Sequence, residues 1–225
     1  MSVWNHPIKA VIFDCDGTIL DTNKIYFHAN GAVTGREYPP ELSKQTNGRG
    51  EKDVSRIIVD YYNLPMTPQE FIDKRNVILT KTLPNCQIIP HVDDFIKKLS
   101  NMGLKLAVAT SCVRHFHELK TSNHKEIFSL FDCHICGDEV SQAKPHPDIF
   151  LNAAVKLGNF KPENVLVIED AAAGVKAANN AGMPVVVCHK NDADFHANLD
   201  EFGAKPNIII ESFDEFDFKL FNWKE

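Results

Sequence analysis

The sequence predicts an α/β fold, a mostly parallel sheet flanked by helices with an all-helical segment inserted after the first strand. Three observations predict it. From about residue 90 onward, short apolar runs alternate with amphipathic stretches, the pattern of βαβ units. The first apolar run, residues 10–13, ends abruptly at Asp14 and Asp16, where ligands collect beyond the carboxyl end of a parallel strand. Between about residues 24 and 88 the strand-type runs stop and helical periodicity takes over.

Taken in order, residues 10–13 are apolar throughout, as a strand buried on both faces should be. Val54, Ile57, Ile58, Tyr61 and Leu64 then follow the i, i+3, i+4, i+7 spacing of a helix. Thr67-Pro68-Gln69-Glu70 starts another: Thr67 can cap, Pro68 suits the first helical position and Glu70 can close a capping box. Phe71, Ile72, Arg75, Ile78 and Leu79 continue its period. Past Pro84 and Pro90 the alternation begins. Val92, Phe95, Ile96 and Leu99 make a helix stopping near Gly103, and residues 104–109 a strand ending in Thr110-Ser111-Cys112. A poorer strand lies within 128–137. Pro147 opens a helix that carries Ile149, Phe150, Ala153, Ala154 and Leu157 to Gly158. Residues 165–168 form a strand closed by Glu169 and Asp170, 171–182 a helix, 185–188 a strand and 208–210 a sixth strand. Residues 213–221, inside the acidic, Phe-rich tail 211–225, are expected to close the fold as a helix. Residues 1–22 and 89–225 thus make a core domain and 23–88 a helical lid.

A chain of 225 residues with 44% hydrophobic and 24% charged residues is ordinary for a globular protein and long enough to bury a sizeable core. Its formal net charge of −6 argues against a nucleic-acid polymer as partner, since phosphate-backbone binding needs clustered Lys and Arg. No stretch reaches the roughly 18 to 20 apolar residues of a membrane span, and the N-terminal residues lack an apolar signal core. A cytoplasmic monomer is the expectation. Six cysteines in this length make no disulfide framework. Cys133 and Cys136 suggest half a zinc site, but on a strand residues three apart point to opposite faces. His115 and His117 are expected on the surface of a helix, and Trp4 and Trp223 in packing contacts.

Asp14 and Asp16, two apart in extended chain, project to one side, and two carboxylates that close need a cation. An oxygen-lined site of this kind suits Mg²⁺, which takes one or two carboxylates, waters and substrate phosphate oxygens. Taken alone, a DxDG is equally a solvated turn. Two further strands end in groups fit for the same chemistry, Thr110 and Ser111 in one and Glu169 and Asp170 in the other. Lys144, in KPHPDIF, supplies a cation. The loop TNGRGEKD, residues 46–53, has glycines at Gly48 and Gly50 that permit close backbone approach, and Arg49 or Lys52 to meet an anion.

In their order along the chain, DCDGT, TS, K and ED followed by GVKAA resemble the four motifs of the haloacid dehalogenase superfamily. The resemblance implies a Rossmann-like core whose first, second and fourth strands are neighbours, with a helical cap after the first. It implies Asp14 as nucleophile and Asp16 as general acid, then base. It also implies Mg²⁺ held by the Asp14 and Asp170 carboxylates and the Asp16 backbone carbonyl with Glu169 close by, and phosphoryl oxygens held by Thr110, Ser111 and Lys144. The second aspartate points to phosphate esters. The stretches LKLAVATS, SNHKEIFSLF and KPHPDIFL are most similar to the pseudouridine-5′-phosphatase branch. β-Phosphoglucomutases share the motifs but usually carry His where Tyr26 stands and Arg where Glu51 stands.

The expected activity is Mg²⁺-dependent hydrolysis of a small phosphate monoester, resembling pseudouridine-5′-phosphate or a sugar or polyol phosphate. A sugar phosphomutase and a non-catalytic binding protein are the alternatives; the second is disfavoured because a binder needs no nucleophile.

Overall fold

In the computed structural model, which describes residues 3–223, the first apolar run forms strand β1 (Ala10–Phe13) inside a six-stranded sheet. Next come β2 (Leu20–Asp21), α1 (Asn23–Thr34), α2 (Pro40–Thr46), α3 (Glu51–Tyr62), α4 (Pro68–Thr82) and β3 (Gln87–Ile88). The alternating part follows as α5 (Val92–Asn101), β4 (Lys105–Thr110), α6 (Arg114–Thr121), α7 (Lys125–Phe128), β5 (Cys133–Cys136) and α8 (Asp148–Gly158). It ends with β6 (Val165–Glu169), α9 (Ala172–Ala181), β7 (Val185–Cys188), α10 (Ala193–Phe202) and β8 (Ile208–Ile210).

The sheet order is β5-β4-β1-β6-β7-β8, with every pairing parallel. This is the Rossmann-like α/β architecture. Phe13 is level with Val108 of β4 and Ile168 of β6, so Asp14 leaves the sheet between the ends of the strands carrying Thr110 and Glu169. Alternate residues face opposite layers. Val11 and Phe13 pack with α5, whereas Ala10 and Ile12 pack with α8 and α9.

The inserted helices hang from two chain crossings that pair as a short antiparallel ribbon, β2 with β3. Two residues of ribbon leave no apolar run, so this strand pair was not visible in the sequence. The Thr67–Glu70 capping box is present, with the Thr67 N–H donating to Glu70 at 2.7 Å and the Glu70 N–H to Thr67 at 3.2 Å. Leu42, Ile58, Val59 and Phe71 make one small core of the cap. Ala29, Leu79 and Leu83 make another that includes Phe116 of α6, joining cap to core. The cap is closed: Lys44 pairs with Asp194 at 2.9 Å, and the Ser111 hydroxyl donates to the Gly48 carbonyl at 3.0 Å. Gly48, at φ 74°, lets the loop lie where a Cβ would stand 2.9 Å from that of Ala171.

The expected closing helix is not formed. Phe213–Glu215 and Phe218–Leu220 are separate 3₁₀ turns. An α-helix would set Phe216 and Phe218 about 200° apart, yet both rings pack on Phe95, at 4.9 and 5.6 Å between centroids. Burying both requires the helix to break. Lys224 and Glu225 of that tail lie outside the described residues. The poorer strand is only Cys133–Cys136, because Lys125–Phe128 coils into a helical turn. His117 is not a surface residue: it is 2% exposed and its Nε2 lies 2.7 Å from His134 Nδ1, because α6 turns Phe116, His117 and Lys120 inward. His115 is exposed. The Trp4 and Trp223 indoles pack against the core, and each donates its N–H to a carbonyl. All six cysteines are free, and no helix among the described residues is long and apolar enough to cross a membrane.

Candidate active site

Asp14 is held by the register of β1 in the centre of the sheet's carboxyl edge. Lys144, fully buried, donates to Asp14 Oδ1 at 2.5 Å, to Glu169 Oε1 at 2.7 Å and to the Ala109 carbonyl at 3.2 Å. Glu169 in turn accepts the backbone N–H groups of Asp170 and Ala171 at 2.9 and 3.0 Å. Its oxygens are thus engaged in fixing Lys144 and the β6 turn. Asp170 accepts from the Thr18 hydroxyl at 3.3 Å and from the Asn23 side-chain amide. Gly17, at φ 87°, is required here, since a Cβ would fall 2.1 Å from Asp170 Oδ2.

Asp16 has separate partners. Its carboxylate accepts from Thr22 at 2.7 Å, from Thr110 at 3.0 Å and from the fully buried Lys120 of α6. The two aspartates therefore titrate differently. Burial raises Asp14, Lys144 opposes, and Glu169 and Asp16 add to the rise, leaving it at about 7. Burial also acts to raise Asp16, but Lys120, with the Thr22 and Thr110 hydroxyls, holds it below the usual carboxylate range.

Asp14, Glu169 and Asp170 each offer an oxygen within 4.8 Å of the others, all buried. Among the described residues Lys144 is the one ammonium paired with them, so the group carries an excess of negative charge in a low-dielectric setting. Burial, then Glu169 and Asp14, push Asp170 well above its ordinary value. Buried oxygen donors with uncompensated charge fit a hard divalent cation such as Mg²⁺.

A cavity between cap and core opens onto Asp14, Asp16 and Asp170. Ser111, Gly48 and Arg49 line it. Thr110 does not. It is fully buried, and its hydroxyl donates to the Asp16 carboxylate. Lys52 is exposed and does not line the cavity, because one residue along α3 from Glu51 is a turn of about 100° away. The cavity instead receives Arg75 from α4, paired with Glu51. A guanidinium is thus present, from a different helix, near the position where the mutases were expected to carry one.

Fold and site together make a Rossmann-like core with an inserted helical cap and a cluster of buried carboxylates at the cavity between them. Residues 11–188 match the haloacid dehalogenase-like hydrolase family, and the chain belongs to it. A probable pseudouridine-5′-phosphatase of Drosophila melanogaster is 38% identical over 183 residues, covering 78% of this chain and 79% of that one. (DL)-glycerol-3-phosphatase 2 of Arabidopsis thaliana is 36% identical, covering 80% and 79%. A β-phosphoglucomutase structure from Clostridium difficile superposes with a TM-score of 0.78 at 23% identity, covering 94% of each chain, which speaks to the fold alone. The chain is a phosphatase of this family, a phosphoric monoester hydrolase for small phosphorylated substrates.

Proposed function

We propose that the chain is a Mg²⁺-dependent phosphatase that works through an aspartyl phosphate on Asp14, with a pseudouridine-5′-phosphate-like or a sugar or polyol phosphate as substrate. The observation that carries this reading is the unlike treatment of two aspartates at one strand end: Asp14 sits with Lys144 and the acidic cluster, Asp16 with Lys120. Asp14 and Asp170 would hold Mg²⁺, with the Asp16 backbone carbonyl. When bound, the ion supplies the charge neutralisation that lets a carboxylate approach a phosphate dianion.

Asp14 attacks phosphorus, the bond from phosphorus to the leaving oxygen breaks, and Asp16 gives that oxygen a proton. A water that Asp16 deprotonates then attacks phosphorus, and Asp14 departs as carboxylate. Lys144 screens the charge on Asp14 and the phosphoryl oxygens, and Glu169 aims Lys144. Beside Lys120, Asp16 rests in its base form, so the proton for the first step enters with the substrate. Arg49, which lines the same cavity, holds phosphoryl oxygens, and Ser111 joins it once its hydroxyl leaves the Gly48 carbonyl.

Asp16→Asn tests the assignment. It should reduce turnover of alkyl phosphates more than that of p-nitrophenyl phosphate, whose leaving group needs little protonation. Equal losses on both would remove Asp16 from the acid role. Isomerisation of β-glucose-1-phosphate outpacing phosphate release would favour the mutase instead.

A further inference from the structure

On cavity-lining residues of the cap, three buried atoms have no hydrogen-bond partner among the described residues: Arg49 Nε, in the loop before α3, and the pair Asn30 Oδ1 and Arg75 Nε. Asn30 and Arg75 both line the cavity that opens onto Asp14, and each of the two is 3% exposed. Such atoms are costly to leave unpaired, and a ligand that satisfies them is favoured by that cost.

The orientation of Asn30 is set by a directional relay. Thr46 donates its hydroxyl to the Leu42 carbonyl at 2.9 Å, so at 2.6 Å from Tyr38 it accepts the phenolic O–H. The Tyr38 oxygen is left to accept from the Asn30 amide beside it, and Asn30 Oδ1 is the acceptor left without a partner. Arg75 is oriented by its pair with Glu51 and by Asn76 at 3.2 Å, which neutralises its charge and leaves Nε as a donor. Among the lining residues Arg49 is the other cation, stacked 4.9 Å over Phe202, and the phosphoryl group of any substrate has first claim on it.

We infer that Asn30 and Arg75 read the leaving group: the alcohol portion of the substrate is uncharged, presents an O–H or N–H to Asn30 Oδ1 and an acceptor to Arg75 Nε. Hydroxyl-rich alcohols and nucleosides with an imide edge meet this pattern. A carboxylate or second phosphate does not, because it would bring only acceptors against the Asn30 carbonyl and Glu51. This rests on the phosphatase reading above.

The test compares kcat/KM for glycerol-3-phosphate and pseudouridine-5′-phosphate, which carry donors, with propyl phosphate, which carries none, and phosphoglycolate, which is anionic. p-Nitrophenyl phosphate reports on the chemistry itself. Wild-type enzyme should favour at least one donor-bearing substrate over propyl phosphate and phosphoglycolate by about tenfold or more, the range for a buried group left unpaired. Asn30→Leu should reduce that preference to about threefold or less. Tyr38→Phe, which frees the Asn30 amide to turn, should raise KM for donor-bearing substrates more than it lowers kcat. A wild-type enzyme without the preference, or a folded Asn30→Leu variant that keeps it, overturns the inference while leaving the phosphatase reading intact. Absence of turnover for every phosphate, p-nitrophenyl phosphate included, overturns both.

Discussion

The Lys120 ammonium, inside the core on α6, donates to the carboxylate of Asp16, the second aspartate of the β1 end. Lys144, from the segment between β5 and α8, does the same for Asp14. Each aspartate thus has its own buried lysine, and the roles proposed for the two, attack and proton transfer, rest on that division.

Removing one partner of a buried pair leaves the other charge uncompensated, at a cost of about 3 kcal/mol or more. Lys120→Met should therefore destabilise the fold by that order in urea unfolding and lower kcat on an alkyl phosphate by about tenfold or more. Lys120→Arg should recover part of both. A Met variant within about twofold of wild type in turnover, and equally stable, would show that Asp16 does not depend on Lys120.

Metal dependence should reside in Asp170. Chelation should abolish turnover, and added Mg²⁺ should raise the Tm of the wild-type protein because it binds only the folded chain. In Asp170→Asn the Tm increment should shrink or vanish. An undiminished increment in that variant would place the ion elsewhere.

The buried His117–His134 contact makes a prediction about acid stability. Burial, with Lys120 and His134 beside it, lowers His117 from 6.5 to about 3. A histidine held neutral in the folded state contributes fully above its unfolded pKa. As pH falls through 6.5 the unfolded chain takes up the proton and the folded chain does not. Stability should drop by about 1 kcal/mol from this residue between about pH 7.5 and about pH 5.5, and His117→Gln should flatten the slope. An unchanged slope across a urea series at those pH values would assign the acid lability to other groups.

What the sequence revealed follows from where the physical signal is local. The β1 run and its carboxylates are adjacent in the chain, as are Glu169 and Asp170, so strand ends and acids could be read together. The Thr67–Glu70 cap is likewise a matter of four residues. Lys120 was hidden because it lies in a polar stretch, RHFHELKT, and only tertiary packing decides that its face turns inward. Arg75 did leave a trace: it falls in the apolar phase of its helix with Phe71, Ile72 and Leu79, and a charged residue on a buried face marks a pairing site. Nothing adjacent marks Asn30, whose role depends on Tyr38 and Thr46 closing from other segments. Helix α10 was missed although Asp192 caps it, accepting from the Phe195 N–H at 2.9 Å, with Phe195 and Leu199 one turn apart and both buried.

The central claim is that Asp14 becomes phosphorylated. Wild-type enzyme mixed with Mg²⁺ and a phosphodonor, quenched on the millisecond scale, reduced with borohydride and digested should yield a peptide in which residue 14 alone has become homoserine, the product of a reduced acyl phosphate. Asp14→Asn should give no such peptide and should turn over at less than about a hundredth of the wild-type rate. Steady phosphate release with residue 14 unmodified, or with the phosphoryl group recovered on another side chain, would contradict the account.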